Sequence, residues 1–478
     1  MRSRIELLAA LAVLGACAVN PATGEREFSL VSEGQEIEMG RQADPEIAAQ
    51  FGLVDDAGLQ AYVSGIGTRI AAVSERPNLP WSFKVVDDPI VNAFALPGGF
   101  IYVSRGILAH FDSEAELAGV LGHEVGHVTA RHSASQMSRQ QLQQIGLGVG
   151  MIFSETVREY GQLAMVGLQL MNLKYSRGDE SESDRLGLRY IGRLDYDPDA
   201  MIGVFQMLAR VSGSGDGRVP EWQLTHPYPE NREQAMREII ENPENNIPRE
   251  GRVARDEYLA QIDGLIYGEN PREGYFKDSR FVHPDLKLEL TFPTGWRGIN
   301  QKTMVAAIAP REDAIMMMAI ESEAASPEAA LREFLSQEGI SPGPARREGS
   351  GGVEIARADF DAATEEGVIS GEVAFVRYDG NMYRLLGYAP EAAWRGHASA
   401  IASAISSFKP LTDRAILAVQ PWTLEIEQLP SAMSLQAYHS RNPGPIELEE
   451  LAELNRVEPG EVIPAGTHIK RVVGNPRP

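Results

Sequence analysis

The pentapeptide His123-Glu124-Val125-Gly126-His127 carries the clearest chemistry in this 478-residue chain. Positions i and i+4 share one face of a helix, so the two imidazoles project side by side. Placed so, they can hold one zinc ion, and Glu124 flanks that ion as a general base. A catalytic zinc takes three protein ligands and leaves one position open for water. The chain has only 9 histidines, and His110 and His132 lie off the i, i+4 face, so a carboxylate is the expected third ligand. The segment from Tyr175 to Gly187 offers one. Glu180 and Asp184 point the same way on a helix: Glu180 can bind the metal while Asp184 accepts the free N–H of a ligating histidine. Glu182 is the rival ligand, on another face if Glu180 faces the ion.

These side chains need particular elements to hold them. Ser113 to His132 reads as one amphipathic helix. Ser113 and Glu116 form an S-x-x-E capping box at its start, and Leu117, Val120, Leu121 and Val128 supply an apolar stripe. Ala93 to Val103, with Pro97-Gly98-Gly99 inside it, reads as strand, tight turn and strand. Gln136 to Asn172 is helical in pattern but weakened by glycines at 146, 148 and 150, and Glu155, Arg158 and Glu159 keep it from being transmembrane. It is expected either as a mobile lid over the cleft or as a buried hairpin.

The motifs resemble the zinc endopeptidases that include the CAAX prenyl endopeptidases, the HtpX-type membrane peptidases and the periplasmic BepA-type peptidases. Those proteins pair H-E-x-x-H on one helix with E-x-x-x-D on a later one. Here the second motif is Glu180-Ser-Glu-Ser-Asp184, with Ser183 where alanine is usual. Asn92-Ala-Phe-Ala-Leu-Pro-Gly-Gly99 resembles the strand before the zinc helix, and Thr225-His226-Pro-Tyr-Pro-Glu-Asn-Arg232 a downstream H-P-x(4)-R motif. The resemblance covers roughly residues 25 to 268. It implies peptide hydrolysis with one zinc per chain, His123, His127 and Glu180 as ligands and Glu124 as catalytic base. It also brings His226 and Arg232 to the site. His226 would contact the metal or the oxyanion, or occupy the open zinc position at rest; read alone, it is a turn histidine before proline. Asn92, Ala93, Phe94 and Ala95 would form an edge strand that pairs with extended substrate, favouring unfolded segments. An ordinary hairpin would look the same in sequence.

The N-terminus suggests where the chain acts. Arg2 and Arg4 precede an apolar run from Leu7 to Leu14, and Cys17, the lone cysteine, follows small residues. That is a signal-peptide pattern too short for a stable membrane span. It resembles a bacterial lipoprotein signal over 1–16 with lipid on Cys17, and Ala18 implies outer-membrane sorting. With 44 Lys and Arg against 67 Asp and Glu, the net charge is −23, which disfavours nucleic acid and anionic membrane surfaces as partners.

The expected fold class is α+β. A mainly helical, gluzincin-type zinc peptidase domain with a small sheet spans 25–268. An α+β accessory domain spans 280–410, where Leu286 to Phe292 alternates cleanly and helices are expected at Pro327 to Gln337 and Glu391 to Phe408. Met316, Met317 and Met318 read as strand packing. A third unit at 415–475 has two short helices between short strands. Its Asn455 and Ile463-Pro-Ala-Gly466 resemble the later half of LysM modules, without the usual Gly-Asp-Thr opening. It is either a peptidoglycan binder or a plain interaction module. Three functional readings follow: a lipid-anchored periplasmic zinc endopeptidase acting on unfolded or misassembled envelope proteins, a chaperone-like outer-membrane assembly factor with a latent protease, or a peptidoglycan-binding adaptor.

Overall fold

The computed structural model describes residues 17–24, 26–146, 174–213, 222, 226, 232–245, 247–321, 325–364 and 367–475. The expected leader (1–16) and most of the expected lid (147–172) lie outside these residues. The chain is α+β and divides into two compact units, Met1–Glu269 with Trp422–Gly474, and Asn270–Pro421 with Asn475–Pro478.

In the first unit, strands β1 (Cys17–Val19) and β2 (Arg26–Phe28) pair antiparallel. Helix α1 (Glu33–Phe51) starts at a complete Ser32–Gln35 capping box, and α2 (Ala57–Ala72) is capped by Asp56. A small sheet follows, made of β3 (Ser82–Val86), β4 (Ala93–Leu96) and β5 (Phe100–Ser104) in the order β3-β5-β4. Strand β4 is therefore an edge, antiparallel to β5, and the turn between them uses left-handed Gly98 and Gly99 (φ 84° and 103°). A side chain at Gly98 would meet the Ile37 backbone of α1, so only glycine lets that helix sit on the turn.

Helix α3 (Arg105–His110) leads into α4 (Glu114–Thr129), which is buried along its whole length. Next come α5 (His132–Gly146), α6 (Arg177–Arg193), α7 (Asp199–Gly213), α8 (Arg232–Glu241), α9 (Arg255–Ile262) and the short strand β6 (Ile266–Tyr267).

Two expectations about α4 need correction. It does not run to His132: Ala130 caps it, and Arg131 takes a left-handed conformation (φ 61°) that starts a new helix. The capping box is half formed. Ser113 Oγ accepts from the Glu116 amide, but the Glu116 carboxylate accepts from the Asp112 amide instead and pairs with Arg456.

That arginine belongs to the tail, which was expected as a third unit and here shares the first unit's core. Strand Trp422–Gln428 pairs antiparallel with His468–Val473 and with β6, and helices Leu435–Arg441 and Leu448–Leu454 lie between the two tail strands in sequence. Leu424, Leu435, Leu451 and Val472 join Leu117 and Leu121 of α4 in one hydrophobic cluster. Lys470, fully buried, reaches Asp112 at 2.9 Å.

The second unit holds two antiparallel sheets, a four-stranded one ordered Lys409–Pro410, Leu288–Thr291, Arg280–His283 and Tyr275–Lys277, and an eight-stranded one. The larger sheet has the strand order Arg297–Asn300, Met304–Ile308, Ile315–Glu321, Asn381–Pro390, Gly367–Tyr378, Val353–Thr364 and Ile340–Pro342, with Arg346–Ser350 also pairing to Val353–Thr364. Helices Pro327–Leu335 and Glu391–Ser406 contribute to separate clusters on opposite faces, one holding Val373 and Phe375, the other Ala374 and Val376. Met316 and Met318 are buried in the strand interior.

Candidate metal centre

Helix α4 presents His123 and His127 on one face, with their Nε2 atoms 3.0 Å apart. Helix α6 crosses against it. The crossing depends on small residues: a Cβ at Gly187 would lie 3.0 Å from the His123 amide nitrogen, and one at Gly126 would lie 3.1 Å from the Ser183 backbone. This closeness delivers Glu180, from the first turn of α6, to the two imidazoles. Glu180 Oε2 lies 3.6 Å from His123 Nε2, and Oε1 lies 3.4 Å from His127 Nε2. His226 completes the cluster, with its Nδ1 2.9 Å from Glu180 Oε1. One ligand atom from each of the four falls within 4.8 Å of the others, and all four residues are buried.

The cluster fits a zinc ion. Tetrahedral donors at zinc-bond length stand about 3.3 Å apart, and the spacings of the His123–His127–Glu180 set bracket that value. His226 Nε2 is buried without a hydrogen-bond partner, a costly arrangement unless something else engages it. The N₂O donor set with a further histidine is zinc chemistry.

Around these donors the residues are locked. Asp184 Oδ1 accepts from His123 Nδ1 at 2.9 Å, which turns Nε2 toward the cluster. Arg232 grips Asp184 through Nε and Nη2 at 2.7 and 2.6 Å, and its Nη2 lies 3.0 Å from Glu180 Oε2. Arg232 thus braces the donor set from behind. His127 Nδ1 meets His132 Nδ1 at 2.9 Å, and His132 Nε2 approaches Glu182 at 3.5 Å. Glu182 therefore faces His132, away from the donors. Tyr175 stacks on the His127 ring at 3.9 Å.

Sequence reasoning missed His132 and Tyr175 as neighbours of the centre. The left-handed Arg131 folds His132 back onto His127, which no helical wheel shows. Tyr175 stood at the head of the acidic segment, yet its type gave no sign of a stacking role.

Burial raises the Glu124 carboxyl above its usual range, although His226 and His123 pull the other way. Burial would raise Glu180 too, but the charges and hydrogen bonds of His226 and His127 hold it well below. His127 is driven well down by burial, as a neutral ligand requires. Burial would raise Asp184, but the charges and hydrogen bonds of Arg232 and His123 together hold its carboxyl below the usual range. Glu124 Oε2 is buried and unpartnered, and Oε1 lies 3.7 Å from His226 Nε2. Asn92 and Ala93 line a cavity with His123 and Glu124, while Phe94 belongs to a cluster with Phe100 and Tyr102. Ala95 is buried in the main core.

The model of peptidase family M48 matches residues 58–240. A mitochondrial metalloendopeptidase OMA1 of Schizosaccharomyces pombe is 32% identical over 234 residues, covering 48% of this chain and 68% of that protein. The chain belongs to peptidase family M48. The matched M48 region contains every donor together with Glu124 and Arg232, and the family is zinc-dependent. A beta-barrel assembly-enhancing protease of Yersinia pestis is 32% identical over 220 residues, 44% of this chain and 45% of that one. A mitochondrial metalloendopeptidase OMA1 of Arabidopsis thaliana is 32% identical over 204 residues, covering 43% and 40%. This M48 chain spans about half the length of most of the curated relatives it matches.

Proposed function

We propose that the chain is a zinc metalloendopeptidase of the bacterial envelope that hydrolyses peptide bonds in unfolded or misassembled envelope proteins. The observation that carries the reading is the buried convergence of His123, His127 and Glu180, with Glu124 Oε2 unpartnered beside them. Held by those three donors, zinc supplies a Lewis acid that lowers the pKa of water and polarises a carbonyl. Glu124 takes a proton at Oε2 and returns it to the departing amine; its raised affinity for protons suits both steps. Asp184 keeps His123 in the tautomer that frees Nε2, and Arg232 keeps Asp184 in place. The β4 edge receives an extended substrate segment by strand addition.

His226 supports a second feature. It lies inside the donor cluster and in contact with Glu180, so at rest it closes the remaining metal position and keeps the enzyme latent. A chaperone-like assembly role would operate in that resting state. The leader pattern supports a lipid on Cys17 and attachment to the outer membrane facing the periplasm. No helix among the described residues is long and apolar enough to cross a membrane. The strand-helix-helix-strand order of the tail supports a LysM-like module. A pulldown with purified sacculi, comparing the full chain with one ending at Leu411, tests peptidoglycan as a partner.

The central test uses the protein lacking residues 1–17, with zinc content and hydrolysis of unfolded casein as readouts. Glu124→Gln is expected to keep about one zinc per chain while hydrolysis falls by about 10²–10⁴. Equal activity would remove Glu124 from the mechanism. His226→Ala is expected to raise hydrolysis; a fall would assign His226 to the oxyanion instead.

A further inference from the structure

His123 and His127 are held from behind by different devices. Asp184 gives His123 a carboxylate directly. His127 Nδ1 instead meets another imidazole nitrogen, His132 Nδ1, at 2.9 Å. A neutral imidazole carries one proton, so this contact can run in either direction. If His132 donates, His127 keeps its proton on Nε2 and cannot bind a metal there. If His132 accepts, the His127 proton sits on Nδ1 and Nε2 is free. Ser183 Oγ, 3.3 Å from His132 Nδ1, can donate or accept and so decides nothing. Glu182 decides. Its Oε2 lies 3.5 Å from His132 Nε2, and a carboxylate there draws the His132 proton to Nε2. The other Glu182 oxygen is held by Asn20, a buried residue whose Nδ2 donates to Oε1 at 3.2 Å. The Asn20 amide is not free to turn over, because Oδ1 accepts from the Ala22 and Thr23 amides at 2.8 and 3.3 Å. Asn20 follows β1, three residues after Cys17 and ahead of the matched M48 region. The same arm is fixed farther along: the Leu30 amide donates to Ser138 Oγ of α5 at 2.8 Å, and Arg131 Nη2 donates to the Val31 carbonyl at 2.6 Å.

We infer that Asn20 is a positioning residue for the metal centre: by fixing Glu182 it sets the direction of the His127–His132 hydrogen bond and keeps His127 Nε2 open to the ion. This role rests on the zinc peptidase reading and extends the centre to a segment ahead of the M48 region. Every proton in the chain then points toward Glu182, those of His127 and His132 from one side and that of Asn20 from the other. Released by Asn20, the Glu182 carboxylate, whose side chain is 17% exposed, turns to water and the imidazole pair loses its bias.

The test is zinc affinity of the full-length chain, measured by competition with a chelator at about pH 8, where carboxylates are ionised. Asn20→Asp keeps an acceptor for the turn at Ala22 and Thr23 but sets a second carboxylate against Glu182. It is expected to weaken zinc binding about tenfold while the metal-free protein melts as the wild type does. Adding Glu182→Gln exchanges amide and carboxylate across the contact. The new amide accepts from His132 and donates to the new carboxylate, so most of the zinc affinity is expected to return. His132→Asn keeps an acceptor near His127 but no longer reaches Glu182, and in that background Asn20→Asp should cost nothing further. Unchanged affinity in Asn20→Asp, a loss that Glu182→Gln fails to restore, or an equal loss in the His132→Asn background overturns the role of Asn20 and leaves the metal centre standing. A wild type that binds no zinc defeats the metal centre itself, and the role of Asn20 with it.

Discussion

Asp184 and Arg232 touch the donors without joining them, so their removal should separate metal affinity from fold. Asp184→Ala leaves His123 Nδ1 without its acceptor and Arg232 without its main partner. Zinc affinity is expected to fall by about 10- to 100-fold, measured by competition with a chelator. An unchanged affinity would mean the Asp184–Arg232 clamp does nothing for the metal. His110 gives a pH signature away from the centre. Burial pushes its ring down to about 4, with Nδ1 2.9 Å from the Gly106 carbonyl. The folded state thus prefers the neutral ring, while the unfolded chain protonates near about 6.5. Its contribution is complete above about pH 6.5 and declines as pH falls toward 4, by on the order of 2 kcal/mol because the ring is partly exposed. Urea midpoints against pH should have a shallower slope in His110→Asn across that window. At this scale much was legible: the spacing of His123 and His127 puts two imidazoles together on any helix. His132 was not legible, because a single left-handed residue, Arg131, decides where it points.

At the scale of elements, the centre exists because α4 and α6 approach within reach of a carboxylate. Gly122, Gly126 and Gly187 permit that approach. Gly187→Val would place its side chain against the backbone at Gly122 and His123, forcing the helices apart and drawing Glu180 away from the imidazoles. Zinc content is expected to drop well below one per chain while circular dichroism still reports a helical protein. Full zinc occupancy would show that the crossing tolerates more bulk than its spacing suggests. Most elements carry a pattern that sequence can show, such as the strand-turn-strand around Gly98 and the helix Glu391–Ser406. The 12-residue strand Val353–Thr364 does not. Ala356, Ala358, Asp359, Asp361, Ala362 and Ala363 are poor strand formers, and the strand owes its conformation to neighbours on both sides.

At the scale of the molecule, the first unit is discontinuous in sequence, which no local periodicity could reveal. Residues 422–474 pack into the same core as α4, and Arg456 pairs with Glu116 at the start of that helix. Arg456→Ala would leave a buried carboxylate unmatched, at a cost of about 3–5 kcal/mol. The expected result is a Tm lower by on the order of 10 °C, with zinc released earlier in the melt. A melt identical to wild type would mean the tail is dispensable to the peptidase core.

The same discontinuity orders events during synthesis. A ribosome makes Asp112 and Glu116 about 350 residues before Lys470 and Arg456, the cations that neutralise them. Until those final segments emerge, the helix bearing the two histidines begins at an uncompensated acidic end and lacks part of its hydrophobic cover. The helix that carries the two histidines is therefore covered and neutralised only once residues 422–474 have been made.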